Sequence, residues 1–322
     1  MASRGRTTIQ ISIGDLYHVI HAGHELAPLD EWYDTVFSPR RGILDDDYFA
    51  PQNRQASLVA IGDCIVEAMA PRRDTLGWEA TPLGKFNARF GQHWHSIAFY
   101  VDDVGPVWDR LTDHGVRVVR GGRPEDGADG RPGEFTPVYT HPRDTVTQLE
   151  FMRRRPRVVA ADFAVSGELD PRYLPGWAGD WWRTNHPLGL ERLAYISVVT
   201  ADAEKARRVF VDVLGGTPLL ESHSTLTETS DLYVALGSQT VLQISVPDDA
   251  RSLAGSDLAA NGETLHAVAF TVVDLDAAEA YLRRRGLVIL DRDTETLLVD
   301  PATSFGAPYR FTTFRAPGDR RD

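Results

Sequence analysis

The chain has 322 residues, of which 42% are apolar and 25% charged, and its net charge is −12. That composition suits a globular protein with a buried core and, as a prior, about two domains. Acidity argues against phosphate-backbone partners, so no nucleic acid is expected, and no apolar run is long enough to span a membrane.

Met1 to Thr8 is polar and basic with no apolar core, so it does not read as a signal peptide. A short strand follows at Leu16-Tyr17-His18-Val19-Ile20, then a helical stretch ending in Glu31-Trp32-Tyr33-Asp34-Thr35-Val36-Phe37. Val59-Ala60-Ile61-Gly62 turns into a second apolar strand that ends at Pro71. Cys64, the single cysteine, lies in that run and reads as a small buried hydrophobe. With one cysteine, neither an intrachain disulfide nor a thiolate cluster can form, which fits a cytoplasmic protein.

His95-Ser96-Ile97-Ala98-Phe99-Tyr100-Val101 is the next strand, and Val104–His114 an amphipathic helix closed by Gly115. Gly121-Gly122 through Gly133 reads as a surface loop, since it lacks the strand–loop–helix context of a phosphate cradle. His141-Pro142 turns into Gln148-Leu149-Glu150-Phe151. The arginine runs at 153–155 and 283–285 read as solvated faces.

From residue 194 the pattern repeats. Ala194-Tyr195-Ile196-Ser197-Val198 matches the first strand in character, and Val234-Ala235-Leu236-Gly237 matches the turn at Gly62. His266-Ala267-Val268-Ala269-Phe270-Thr271-Val272 follows His95 to Val101 at an offset of 171 residues, which Asp103/Asp274 and Gly115/Gly286 keep. Segment 157–188 has no counterpart and is expected to be an ordered linker that packs Trp181 and Trp182 on a module, with a binding lid as the alternative. The repeat predicts an α+β chain of tandem βαβββ modules, forming two half-open mixed β-sheet barrels. The expected division is 1–156, a linker at 157–188, 189–316 and a short tail at 317–322.

This layout resembles the vicinal-oxygen-chelate superfamily, which includes glyoxalase I, methylmalonyl-CoA epimerase, extradiol dioxygenases and bleomycin-resistance proteins. The local likeness is to the epimerase, through Glu67-Ala68-Met69-Ala70-Pro71, Gly84-Lys85-Phe86 and His95-Ser96-Ile97-Ala98-Phe99. In such proteins four strands each offer one side chain to a metal. The resemblance carries His18, Glu67 and Glu150 onto three of those positions. The fourth falls between His95 and Ser96, because one residue of slip on a strand reverses the face. Either a bulge turns His95 inward or His95 is no ligand, and His93 shares its parity. Imidazole plus carboxylate suits Fe, Mn, Co, Ni or Zn. Tyr139 is an acid or hydrogen-bond donor if it faces the cleft, and otherwise a packing residue. His21 and His141 read as satisfied structural histidines, while the role of His24 near the mouth stays open.

The same positions in the second half read Tyr195, Gln243, Ala267 beside His266, and Arg310. A metal is not expected there, since Arg310 has no lone pair to give; a degenerate module or an anion-binding cleft are the alternatives.

Three functions follow from the resemblance, each with a small-molecule partner and with a homodimer allowed. One is an isomerase, epimerase or lyase that works through a metal-stabilised enolate, with Glu67 or Glu150 moving the proton. Another is an extradiol-type dioxygenase with Fe(II) on His18, His95 and Glu150; against it, those enzymes carry their metal in the second half, and Tyr139-Thr140-His141-Pro142 lacks their Tyr-x-x-Asp-Pro spacing. The third is a non-catalytic binding protein whose Trp94, Trp181 and Trp182 stack on a planar ligand, though packing is the default for each.

Overall fold

The structure is a computed structural model; residues 11–45, 47–120, 127, 130–155 and 167–319 are described. Met1 to Thr8, most of the glycine-rich loop after Gly121, the first part of the 157–188 segment and the last three residues of the tail lie outside them.

Two mixed sheets of the same topology make up the fold. The first contains β1 (Ile13–Ala22), β2 (Arg40–Arg41), β3 (Asp47–Phe49), β4 (Arg54–Ile61), β5 (Cys64–Pro71), β6 (His93–Val101), β7 (Val118–Arg120), β8 (Val138–Thr140) and β9 (Gln148–Met152). Its order is β2-β4-β5-β1-β6-β9-β8-β7, with β3 also on β4. The second contains β10 (Leu190–Val199), β11 (Thr217–Ser224), β12 (Thr229–Leu236), β13 (Thr240–Pro247), β14 (Thr264–Val272), β15 (Ile289–Arg292), β16 (Thr296–Val299) and β17 (Tyr309–Thr312). Its order, β11-β12-β13-β10-β14-β17-β16-β15, repeats the first strand for strand. Each half is thus a duplicated βαβββ unit, and the α+β architecture of two half-open sheets is present as expected.

The helices are α1 (Leu26–Phe37), α2 (Pro82–Phe90), α3 (Val104–Asp113), the single turns α4 (Pro142–Thr145) and α5 (Trp181–Thr184), α6 (Ala203–Arg207) with a π-helical continuation over Arg208–Val213, α7 (Leu253–Asn261) and α8 (Leu275–Arg284). Local chemistry sets their ends. Asp103 accepts from the Gly105 amide at 2.9 Å to start α3, and Asp274 accepts from Ala277 at 2.9 Å to start α8. Gly115 and Gly286 follow those helices with φ of +75° and +85°, a conformation that only glycine adopts cheaply.

Alternation along the strands divides the interior. Val19, Val66, Ile97 and Phe99 face the helices and join a core shared by both halves, which also takes in Phe37, Phe270 and Tyr309. Ile20, Leu58, Ala98 and Tyr100 face the other way and line the concave side of the first sheet. A smaller cluster, including Tyr195, Tyr233 and Ala269, lines the concave side of the second. The halves are pinned by polar contacts too. The Tyr33 and Tyr309 hydroxyls meet at 2.7 Å, and Trp94 Nε1 donates to the Pro308 carbonyl at 3.0 Å. Trp94 is therefore a packing residue and not a ligand platform.

In the described part of the 157–188 segment, Trp182 is buried against Trp177 and donates Nε1–H to the Phe37 carbonyl at 2.7 Å, while Trp181 stays partly exposed. No helix among the described residues is long and apolar enough to cross a membrane.

Candidate metal centre

The concave face of the first sheet collects the chemistry. On β1 a bulge falls at Tyr17: Leu16 pairs with Phe99 and His18 with the very next partner, Ala98. Tyr17 and His18 consequently both turn toward the cleft, with ring centroids 4.3 Å apart. Register brings in the carboxylates. Ala98 is the parallel partner of Glu150, and Ile20, on the face of His18, is the partner of Glu67.

His18, Glu67 and Glu150 therefore come together. His18 Nε2 lies 3.5 Å from a Glu67 oxygen and 3.6 Å from a Glu150 oxygen, and all three side chains are at most 10% exposed. Neither His18 nitrogen has a hydrogen-bond partner. A buried imidazole without partners is costly unless something binds it. Donor atoms around one divalent ion with bonds of about 2.1 Å stand roughly 3–3.5 Å apart, close to the spacing found here. Among the described residues, no group of three or more His, Cys, Asp or Glu is placed to hold a metal ion as it stands. The donor set and the orphaned nitrogen fit a divalent metal, but the side chains are not in finished coordination geometry.

Two neighbours organise the carboxylates. Arg54, on the cleft face of β4, reaches the other Glu67 oxygen at 3.1 Å and stacks over the Phe49 ring. Tyr139 is the direct β8 partner of Glu150 and hydrogen-bonds its carboxylate; burial, and then the negative charge of Glu150, push its phenol well above the usual range. Tyr139 thus faces the cleft. Arg54 and Tyr17 were not singled out in the sequence; the only signal is that Arg54 shares strand parity with inward residues Ala56 and Leu58.

His95 sits in a second bulge. Ile20 pairs with Ser96, but His21 pairs with Trp94, so His95 is the extra residue between them. Its ring packs on Phe86 at 4.5 Å, its Nδ1 meets Ser96 Oγ at 2.9 Å, and it lies in electrostatic reach of Glu67 and His18. Burial lowers its pKa to about 4, against the pull of Glu67. His93 turns elsewhere: its Nε2 contacts Asp257 on α7 at 3.1 Å.

The other histidines singled out in the first half, His21, His24 and His141, have partners. His21 bonds the Tyr33 hydroxyl at 2.8 Å and the Phe305 carbonyl at 3.0 Å on the opposite face. His24 meets Asn87 Oδ1 at 2.7 Å, and His141 Nδ1 accepts from the Arg143 amide at the start of α4.

In the second cleft the equivalent positions hold Tyr195, Gln243, His266 and Arg310. Tyr195 and Arg310 both partner Ala269, while Gln243 partners Ser197. His266 occupies the matching bulge, between Ala267 and Leu265.

Two half-open sheets, each built from duplicated βαβββ units around a central cleft, define the vicinal-oxygen-chelate fold. The sequence profile of the Glyoxalase/Bleomycin resistance protein/Dioxygenase superfamily matches residues 195–297, within the second half. Among solved structures, a mutant of 4-hydroxymandelate synthase from Streptomyces coelicolor is 13% identical, covers 96% of this chain and 95% of its own, and has a TM-score of 0.67. The Mn(II)-bound glyoxalase from Novosphingobium aromaticivorans is 13% identical over 96% of this chain and 85% of its own, with a TM-score of 0.57. Methylmalonyl-CoA epimerase from Mycobacterium tuberculosis is 24% identical over 40% of this chain and 90% of its own, with a TM-score of 0.36. No protein of curated function matches the sequence.

Proposed function

We propose that the chain is a divalent-metal-dependent enzyme acting on a small oxygenated organic substrate, as an isomerase, epimerase or lyase that forms an enolate. Residues 1–156 carry the reaction and 189–316 form a second module without a metal. The observation that supports this best is His18 Nε2, buried, unpartnered and within 3.6 Å of two carboxylates.

His18, His95 and Glu150 would hold the metal, with Glu67 in reach as a fourth donor. A bound Fe, Mn, Co, Ni or Zn ion supplies Lewis acidity that offsets the charge of a substrate enolate. Tyr139 fixes the orientation of Glu150 through its hydrogen bond. When it is not ligating, Glu67 would take the proton from the carbon acid on the oxygen that faces His18, while Arg54 anchors its other oxygen. The apolar walls at Ile20, Leu58, Ala98 and Leu169 keep water from the reacting carbon.

A second reading, an extradiol-type dioxygenase, draws support from the bulge at His95. It sets two imidazoles and a carboxylate on one cleft, the donor composition of non-haem Fe(II) oxygenases. Metal analysis of protein purified without chelator, followed by two assays, separates these readings. Solvent deuterium entering a 2-oxo or thioester substrate supports the enolate route, and oxygen uptake on catechols supports the dioxygenase. Protein with only traces of metal and no affinity for added metal overturns both, leaving a binding protein.

A further inference from the structure

The second cleft keeps the strand register of the first but exchanges a carboxylate for a guanidinium. Arg310 stands where the first half has Glu150, and Gln243 where it has Glu67. Arg310 is 2% exposed, and burying a guanidinium is costly unless an anion answers it. Its hydrogen bonds go to the Gln243 amide oxygen at 2.7 Å and to the Tyr195 hydroxyl, both neutral groups. The buried Asp231 carboxylate acts on Arg310 electrostatically without a direct ion pair, and it accepts the Gln243 amide nitrogen at 3.0 Å and the Ser245 hydroxyl at 2.7 Å.

One group beside Arg310 does lack a partner. His266 is fully buried; its Nδ1 is held by Asp257 at 2.6 Å, and its Nε2 bonds to nothing. Its place in the bulge is that of His95, which faces the first cleft, and Arg310 acts on it electrostatically. With Nδ1–H turned to Asp257, Nε2 presents a lone pair that calls for a donor. Phe314 and Ala316 pack against this face and shield it from water, which strengthens charge contacts inside.

We propose that the second cleft binds a small carboxylate that carries a hydroxyl beside it, with the carboxylate on Arg310 and Tyr195 and the hydroxyl donating to His266 Nε2. The site is distinct from the metal cleft and needs no metal.

The test is calorimetric titration of the full-length, chelator-treated protein with glycolate and with acetate. Glycolate is expected to bind one to one, and acetate about tenfold more weakly, the worth of one hydrogen bond. Arg310→Met should abolish both. His266→Asn, whose amide still reaches Asp257 but has no atom at Nε2, should bring glycolate down to the affinity of acetate. Glu150→Gln, in the other cleft, should leave both affinities unchanged. No saturable binding to the wild-type protein, binding that survives Arg310→Met, or loss of binding in Glu150→Gln overturns the proposal. Should Arg310→Met fail to fold by circular dichroism, an unchanged glycolate-to-acetate ratio in His266→Asn overturns it alone. Because no metal is present, failure of the enzyme reading does not touch this result.

Discussion

Glu150 and Arg310 occupy one position of a repeated sheet: each is the parallel-strand partner of the corresponding alanine, Ala98 or Ala269. One duplicated scaffold thus presents a carboxylate to its first cleft and a guanidinium to its second. In the first, the carboxylate stands beside an unpartnered imidazole, and that pairing underlies the first prediction.

His18→Ala should lower affinity for Mn(II) or Zn(II) by more than about a hundredfold, since it removes the nitrogen both carboxylates approach. Titration of chelator-treated protein measures this. Affinity within a few-fold of wild type would move the metal, if any, away from this cleft.

His95 and Ser96 should behave differently. His95→Ala removes a donor, whereas Ser96→Ala removes only the hydroxyl that meets His95 Nδ1 at 2.9 Å. The expected losses in metal affinity are more than about a hundredfold for the first and about tenfold for the second. Equal, small losses would return His95 to a packing role.

Arg54→Met leaves one oxygen of the buried Glu67 carboxylate without its cation, at a cost of about 3 kcal/mol in urea unfolding. Adding Glu67→Gln should recover most of that, because the uncompensated charge is then gone. A single variant as stable as wild type would show that Arg54 does not hold Glu67.

Acid stability should depend on Asp257. The His266 and His93 hydrogen bonds hold its carboxyl far below the ordinary value of about 4, although burial alone would raise it. A depressed carboxylate stabilises the fold above its unfolded value and loses that contribution as pH falls toward the folded one. Wild type should therefore lose stability more steeply below about pH 4 than Asp257→Asn does, as read from thermal midpoints between neutral pH and acid. Parallel curves would deny the contact its role in joining the halves.

Trp182→Ala should destabilise the chain by about 3 kcal/mol or more, through a cavity beside Trp177 and an unsatisfied Phe37 carbonyl. Trp182→Phe, which keeps most of the volume, should cost about 1–2 kcal/mol. A mobile lid would tolerate both changes, so unchanged denaturation curves would revive that alternative.

The sequence alone determined the repeat and the α+β architecture, whereas His18, Glu67 and Glu150 came to the cleft only through the family resemblance. Repeat and architecture are written in local, period-two alternation and in an offset that conserved spacing keeps. Only the tertiary structure decided where His95 points, because a bulge is a mismatch of register between β1 and β6, strands some seventy residues apart. Only it could couple Arg54 to Glu67 or turn His93 to Asp257, since those pairs meet across strands and across the two halves. Alternation names a face; which charges share that face, and which are left there without partners, depends on how distant strands pack.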